Sequence, residues 1–391
     1  MTKNPQKVAP KKNPKQKSKW SQLNHWLHLW LGLTSGIIVF IVALTGVLFI
    51  YCDDIIDALA FDAKYVTEIK DHRLTPEEII TSFKQQLPER KPSYYINYRD
   101  PQRTIKMASS TKERDLQFSW IDPYTGKVLD SGKAYDFFYV IAHIHSGHIP
   151  FGDVGNLIVE ISIWIFLIEL ITGLILWWPK KWNKSTRKQS FTIKTDASFK
   201  RLNYDLHNVP GFYNLIPALI ITITGLIIVN KPLKSATHKL LDGTPKAYSQ
   251  LRDISPQYDS SKTFAPLNPI IENLFAKDKT IEQVKLSVAQ KDSITSIFAA
   301  TGTNIGLKGI ENGKTYVINR YSGQELEIPT KVMNGLSIDE WTMNIHIGFW
   351  AGWIGKTLTL IVGLICMFLP VTGFIIWYGR NNKKKKEHAN Q

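Results

Sequence analysis

The chain has 391 residues, with 48 Lys plus Arg against 33 Asp plus Glu and a formal charge of +15. That basic excess points to nucleic acid or an anionic membrane surface, and 44% hydrophobic with 12% aromatic residues excludes disorder as the main state. Two cysteines, Cys52 and Cys366, exclude a disulfide framework, a Cys-ligated zinc site and an iron–sulfur cluster; no Cys-x-x-Cys-His is present for c-type haem.

Residues 1–19 form a basic tail with seven lysines and no acid. Residues 20–52 lack Asp, Glu, Lys and Arg, and their core, 29–51, is long enough to cross a bilayer as a first helix. Ala58-Leu59-Ala60 resembles a signal-cleavage site, but the apolar core exceeds an ordinary signal segment, so the helix is read as retained. Residues 53–139 read as a small α+β domain. Thr75-Pro76-Glu77-Glu78 opens a helix with proline in its first turn. Residues 121–126 (IDPYTG) make a hairpin turn between strands, flanked by Trp120 and Val128-Leu129. Residues 140–178 hold a histidine segment and a second span, apolar over 154–178 apart from Glu160 and Glu169.

A basic loop, 179–205, leads to a third span at 206–230. Residues 231–339 echo the first α+β domain, with a hairpin turn at 318–323 (INRYSG) and a weaker helix at 280–285 (TIEQVK). Residues 340–379 hold another histidine segment and a fourth span, and 380–391 form a basic tail with Arg380 and Lys383 to Lys386 against Glu387. Trp177, Trp178, Trp182, Trp377 and Tyr378 fit interfacial belts. By the positive-inside rule the three basic segments are cytoplasmic, so both termini lie inside and both α+β domains outside. The basic excess is then a membrane-topology signal, and no nucleic-acid partner is expected.

The spans repeat. His28 is followed by Gly32 and Thr45-Gly46, and His207 by Gly211 and Thr224-Gly225, at identical offsets of four and seventeen. Gly152 and Gly155 precede Thr172-Gly173 and Trp177, just as Gly352 and Gly355 precede Thr372-Gly373 and Trp377. Upstream stand Ile144-His145 and Ile345-His346, one residue apart in their distance to the glycines. The expected architecture is an α-helical membrane protein: four transmembrane helices in a tandem two-fold repeat, carrying two extracytoplasmic α+β domains.

This topology puts His28 and His207 at the cytoplasmic face and His145 and His346 at the outer face. A four-helix bundle brings repeat-related helices together across a pseudo-twofold axis. Two facing imidazoles form a natural axial pair for a b-type haem, and small residues at Gly32, Gly211, Gly46, Gly173, Gly225 and Gly373 let a flat macrocycle approach the backbone. The plainer readings are interfacial histidines and helix-packing glycines. Two imidazoles without a regular carboxylate partner make a poor zinc site. His25, His143 and His148 lack repeat partners and rank as secondary candidates. Glu160 and Glu169 break the repeat, facing Leu360 and Leu369 in the other half. A carboxylate inside a span costs about 2.5–3.5 kcal/mol on insertion scales, so both are functional candidates, Glu169 for bonding a ligand imidazole and tuning the inner site.

Residues 27–33 (LHLWLGL), with the two Ile-His segments and their glycine and Thr-Gly pairs, resemble the PepSY-associated transmembrane proteins of bacterial inner membranes, over about residues 20–380. The outer domains resemble PepSY domains. The better understood members are di-haem ferric-siderophore reductases of iron uptake. The resemblance implies two haem b groups with axial ligands His28, His207, His145 and His346. Family members often carry an arginine after the first histidine; here Leu29 stands there, and Asn208 in the other half, leaving Lys19 or Arg201 to meet a propionate.

The expected activity is electron transfer from a cytoplasmic reductase or quinol, through both haems, to a ferric siderophore outside. Neither a nucleophilic triad nor a Gly-x-Gly-x-x-Gly fingerprint opening a βα unit is present, so the electron donor is a separate partner. Tyr94, Tyr95, Tyr98, Phe137, Phe138, Trp341, Phe349, Trp350 and Trp353 supply aromatic surface near the outer histidines, with Trp350 and Trp353 the acceptor-contact candidates. Competing readings are a non-enzymatic membrane sensor or protease regulator, and a cytochrome relaying electrons to a periplasmic redox protein.

Overall fold

The computed structural model describes residues 18–289 and 291–389, with side chains described to residue 382. Most of the N-terminal basic tail, Gln290 and the end of the C-terminal tail therefore lie outside the described residues. The first half runs through helices α1 (Lys19–Ile50), α2 (Cys52–Leu59) and α3 (Pro76–Gln86), then strands β1 (Lys91–Tyr98), β2 (Ile105–Ser110), β3 (Leu116–Ile121) and β4 (Val128–Gly132). It ends in α4 (Ala134–His145) and α5 (His148–Trp177). A short α6 (Lys184–Phe191) links the halves. The second half opens with α7 (Phe199–Tyr213), α8 (Leu215–Val229), α9 (Lys231–Leu240), α10 (Ala247–Asp253) and α11 (Leu267–Lys277). Strands β5 (Gln283–Ser287), β6 (Ser296–Gly302), β7 (Asn304–Ile305), β8 (Ile310–Glu311) and β9 (Lys314–Asn319) follow, then α12 (Thr330–Ile347) and α13 (Gly352–Ala389).

Helix α1, the stretch Ala134–Trp177 and the stretch Phe349–Asn382 are each long and apolar enough to cross a membrane, and α7 with α8 makes a fourth, bent candidate. Their outward side chains are apolar, including Trp26, Trp30 and Ile37 of α1 and Ile161 and Ile168 of α5, as a bilayer environment requires. The third span starts earlier than the expected 206–230 and bends by 65° between α7 and α8. Pro210 lacks an N–H for the helix ladder. At the bend, buried Asn214 turns its Nδ2–H to Val362 O and Cys366 Sγ of α13, both at 3.3 Å.

Two separate outer domains were expected; a single antiparallel sheet ordered β4-β3-β2-β1-β5-β6-β9 joins them. β1 pairs with β5 over Tyr94↔Ser287 to Tyr98↔Gln283, so the first strand of each half meets at the centre. Among the described residues the second half has no full counterpart of β4; an isolated bridge Ile318↔Glu325 stands in its place. The helix expected at 280–285 is corrected: Gln283–Ser287 is strand β5, and α11 occupies the helical place earlier in the chain. Val284, Lys285 and Leu286 alternate as a strand does: Val284 and Leu286 are fully buried while Lys285 points to the other face.

Helix α3 starts as the sequence indicates, with a capping box: Glu78 N–H donates to Thr75 Oγ1 at 3.3 Å and Thr75 N–H to Glu78 Oε2 at 2.7 Å. Ile79 and Phe83 of α3, with Ile270, Ile271 and Leu274 of α11, pack on one sheet face against Tyr95, Met107, Val284, Leu286 and Ile297. The opposite face looks toward the spans. There Phe118 and Trp120 pack on Cys52 and Ile56 of α2 and Phe138 of α4, while Val317 packs on α10 and α12. Buried Lys106 on that face meets Asp57 of α2 at 2.9 Å, which ties the end of α1 to the sheet.

After each sheet-side histidine the chain turns through Gly147 and Gly348, both at positive φ. It then passes Gly152 (φ 55, ψ −133) and Gly352 (φ 54, ψ −135), dihedrals that only glycine adopts without strain. The one-residue difference in spacing is absorbed between these two turns.

Candidate functional site

Four times, a histidine on one helix is held by a Thr-Gly pair on another. His28 Nδ1 lies 3.0 Å from Thr172 Oγ1, and His207 Nδ1 2.9 Å from Thr372 Oγ1. On the sheet side His145 Nδ1 lies 3.4 Å from Thr45 Oγ1, and His346 Nδ1 3.1 Å from Thr224 Oγ1. Each threonine hydroxyl donates to carbonyls of its own preceding turn, as Thr172 does to Ile168 O at 2.9 Å and Thr45 to Ile41 O at 2.7 Å. Its oxygen is thereby left to accept, so the imidazole must carry its proton on Nδ1. Three of the four also donate to a backbone carbonyl: His145 to Val42 O at 2.8 Å, His207 to Leu369 O at 3.1 Å and His346 to Ile221 O at 3.1 Å.

The glycines of the repeated pairs make room for side chains. A Cβ built on Gly46, Gly173, Gly225 or Gly373 would stand 3.0–3.3 Å from Cε1 of His145, His28, His346 or His207 respectively. One on Gly32 would meet the Glu169 carboxylate at 3.0 Å, and one on Gly211 would meet Leu369 at 3.4 Å.

The seats bring the histidines together in pairs. His28 and His207 have ring centroids 6.3 Å apart with planes at 77°, and His145 and His346 have centroids 6.1 Å apart at 61°. Two imidazoles on opposite sides of one metal ion, bound through Nε2 at about 2.0–2.1 Å with each ring centre about 1.1 Å further out, have centroids about 6.3 Å apart. With Nδ1–H spent on threonine, Nε2 carries the lone pair such a bond needs. Among the described residues no group of three or more His, Cys, Asp or Glu is placed to hold a bare metal ion. Two imidazoles per site would suit a group that brings its other ligands with it, as haem b does. Helix α1 bears His28 and, seventeen residues on, the Thr45 seat of the other pair, so the two levels lie about 26 Å apart along its axis.

The pair on the side away from the sheet is asymmetric. Glu169 Oε2 lies 3.0 Å from His28 Nδ1, whereas its repeat partner Leu369 offers only a backbone carbonyl. Glu169 Oε1 is buried without a hydrogen-bond partner. Glu160 sits elsewhere and accepts from Asn230 Nδ2 at 2.6 Å.

Two buried asparagines escaped the sequence reading. Asn24 Nδ2 donates to Thr172 O at 3.2 Å, and Asn203 Nδ2 to Thr372 O at 3.0 Å. Both stand one turn before their histidines, and that repeated offset of four could have revealed them.

The secondary histidines are not brought into either pair. His143 and His148 lie on the exposed sheet-side rim, 5.6 Å apart, and His143 donates from Nδ1 to Tyr139 O at 2.7 Å. His25 lies one turn before His28 on α1. Arg201 is engaged by buried Asp205 at 2.9 Å, while Lys19 is exposed at the start of α1. Among the aromatics, Tyr95, Tyr98, Phe138 and Phe349 are buried, whereas Phe137, Trp341, Trp350 and Trp353 are exposed.

No curated protein matches the chain. Residues 25–380, which take in the four paired histidines, the whole sheet and all but the outer ends of the first and last spans, match the family described as the PepSY-associated TM region. The protein is a membrane-embedded member of the PepSY-associated transmembrane family.

Proposed function

We propose that the chain is a di-haem b-type cytochrome of a bacterial inner membrane that moves electrons outward and reduces ferric siderophores. The observation that carries this reading is the fourfold His–Thr-Gly contact. It holds each Nδ1–H, leaves Nε2 free, and brings the imidazoles together in two pairs with ring centroids 6.3 and 6.1 Å apart. Haem bound at each pair supplies one-electron redox chemistry at a fixed depth.

The chain's own residues orient and insulate. Threonines and carbonyls hold the imidazoles in one tautomer, and Asn24 and Asn203 hold the backbone of the turns that carry those threonines. The basic segments at 1–19, 179–209 and 380–391 carry 20 Lys plus Arg against three acids, which by the positive-inside rule supports a cytoplasmic side for the His28–His207 pair. A separate cytoplasmic reductase or quinol supplies electrons there. At the other face a ferric siderophore takes up an electron, and Fe(II) leaves its hard oxygen chelator more readily than Fe(III) without cleavage of the ligand.

The test begins with the absorption spectrum of the purified protein, expected to show b-type bands and two haems per chain; a haem-free product from haem-replete cells overturns the reading. His28→Ala and His346→Ala are each expected to lose one haem. Dithionite-reduced protein is then mixed with ferric siderophores. Reoxidation supports the reductase, and its failure with every chelate, alongside oxidation by a periplasmic redox protein, supports a relay.

A further inference from the structure

A cavity of about 330 Å³ lies between the membrane-facing side of the sheet and helices α8 and α12. That volume is at the small end of small-molecule sites. Its wall adjoins the sheet-side histidine pair: Thr342 and Met343 line it one turn before His346, and Ile227 and Ile228 line it just past the Gly225 seat. A loop at residues 306–310 closes another side. Asn344, two residues from His346, pins that loop with both amide atoms: Ile310 N–H donates to its Oδ1 at 3.2 Å, and its Nδ2–H donates to Ile310 O at 2.8 Å. Asp53, at the end of the first span, accepts from Leu307 N–H at 3.1 Å. The cavity is thus built on the same turn that presents a histidine of the sheet-side pair.

Its charges are not self-satisfied. Lys234 is paired with Asp339 at 2.8 Å. Lys285 and Lys308 also line the cavity, and among the described residues neither has a carboxylate within ion-pair distance. Lys285 stands 4.7 Å from the Tyr94 ring centroid; burial, with Lys308 beside it, outweighs the more distant Asp53 carboxylate and holds its ammonium below the ordinary lysine value. Glu340, on the α12 wall, likewise has no cation partner among the described residues. Two unpaired ammonium groups and one unpaired acceptor make a complement to a compact ligand with carboxylates for the lysines and a hydroxyl to donate to Glu340.

We propose that this cavity binds a hydroxy-polycarboxylate anion, free or wrapped around a trivalent metal ion, beside the sheet-side histidine pair. The role deepens the proposed reductase reading, since a ferric chelate held there would be the acceptor, but binding itself requires no electron transfer. The test is calorimetric titration of the purified full-length protein with citrate, with tricarballylate, which lacks the hydroxyl, and with redox-inert gallium(III) citrate. Saturable binding of citrate or its gallium complex, weakened at least tenfold in Lys285→Gln and in Lys308→Gln, is expected; the arm that binds tighter identifies the free or the metal-bound form. Lys262→Gln, on the far surface, is expected to bind as the unaltered protein does. Where the free anion is the form bound, the unaltered protein alone gives a second measure, at least tenfold preference for citrate over tricarballylate. Binding of neither citrate form, equal affinity in the lysine variants, or a free anion bound with no preference for the hydroxyl overturns the inference. A protein that binds as expected yet reduces no ferric chelate overturns the reductase reading and leaves the site standing.

Discussion

At the scale of single residues, the site depends on a glycine that admits an imidazole and a threonine that fixes its proton. Because a Cβ on Gly225 would already stand 3.0 Å from His346 Cε1, a branched side chain there must displace the ring. If each pair holds a haem as proposed, Gly225→Val is expected to lose the sheet-side haem and Gly173→Val the other, each halving haem per protein in a pyridine haemochrome assay. Removing only the threonine acceptor is milder. Thr224→Val should keep the fold and weaken haem retention about 10–100-fold, the usual cost of losing a ligand's outer partner. Glu169 separates the two sites chemically. Glu169→Leu, which copies Leu369 of the other half, removes an acceptor that favours the oxidised, more positive centre. Both haems should remain while the potential of the His28–His207 centre rises. A hydrogen bond of about 0.5–1.5 kcal/mol bounds the rise at roughly 20–65 mV for one electron, readable by redox titration. An unchanged potential would assign Glu169 to packing alone.

At the scale of elements, α2 is the clamp between span and sheet. Asp57 accepts from Lys106 at 2.9 Å and from Arg103 at 3.3 Å, with Lys64 at 3.8 Å. Burial acts to raise the Asp57 carboxyl, but Lys106, then Arg103 and Lys64, outweigh it and hold the group below the ordinary carboxylate value. A depressed folded value means stability that is present above the unfolded value of about 3.9 and is lost as pH falls through the folded one. Asp57→Asn leaves Lys106 buried and unpaired, so it should cost about 3–5 kcal/mol at neutral pH. The gap between variant and unaltered protein should close toward pH 3 in denaturation curves. A gap independent of pH would show that the pair carries no such linkage. The same elements show what a sequence reveals. Helix α3 was legible because Thr75, Pro76 and Glu78 form a local signal, and the histidine and Thr-Gly offsets were legible because duplication printed them twice. The β1–β5 seam was not, because Tyr94–Tyr98 and residues 283–287 lie far apart in the chain and carry no mutual mark. Residues 280–285 read as a helix because a short polar-apolar run suits either period; the sheet partner decided the matter. Nor was it visible which helix seats which imidazole, since levels follow from spacing but neighbours follow from packing.

At the scale of the whole molecule, the charge of +15 is concentrated in three segments that the proposed topology puts on one side of the membrane. Outside the three basic segments, 28 basic residues face 30 acids, so the remainder is close to neutral. On the proposed topology this asymmetry orients both histidine pairs, and cysteine accessibility can test it because the native thiols are silent. Cys52 and Cys366 are buried, and burial, followed by Asp53, pushes the Cys52 thiol far above its ordinary value, which suppresses the reactive thiolate. Lys112 and Lys262 are exposed on the sheet domain, and Lys188 is exposed on α6 in the basic loop. In intact cells, with the outer barrier opened but the inner membrane sealed, a membrane-impermeant maleimide should label Lys112→Cys and Lys262→Cys. It should label Lys188→Cys only after the inner membrane is permeabilised. The reverse pattern would invert the electron path, because the His145–His346 pair and the lysine-lined cavity beside it would then face the cytoplasm, where no external ferric chelate reaches them.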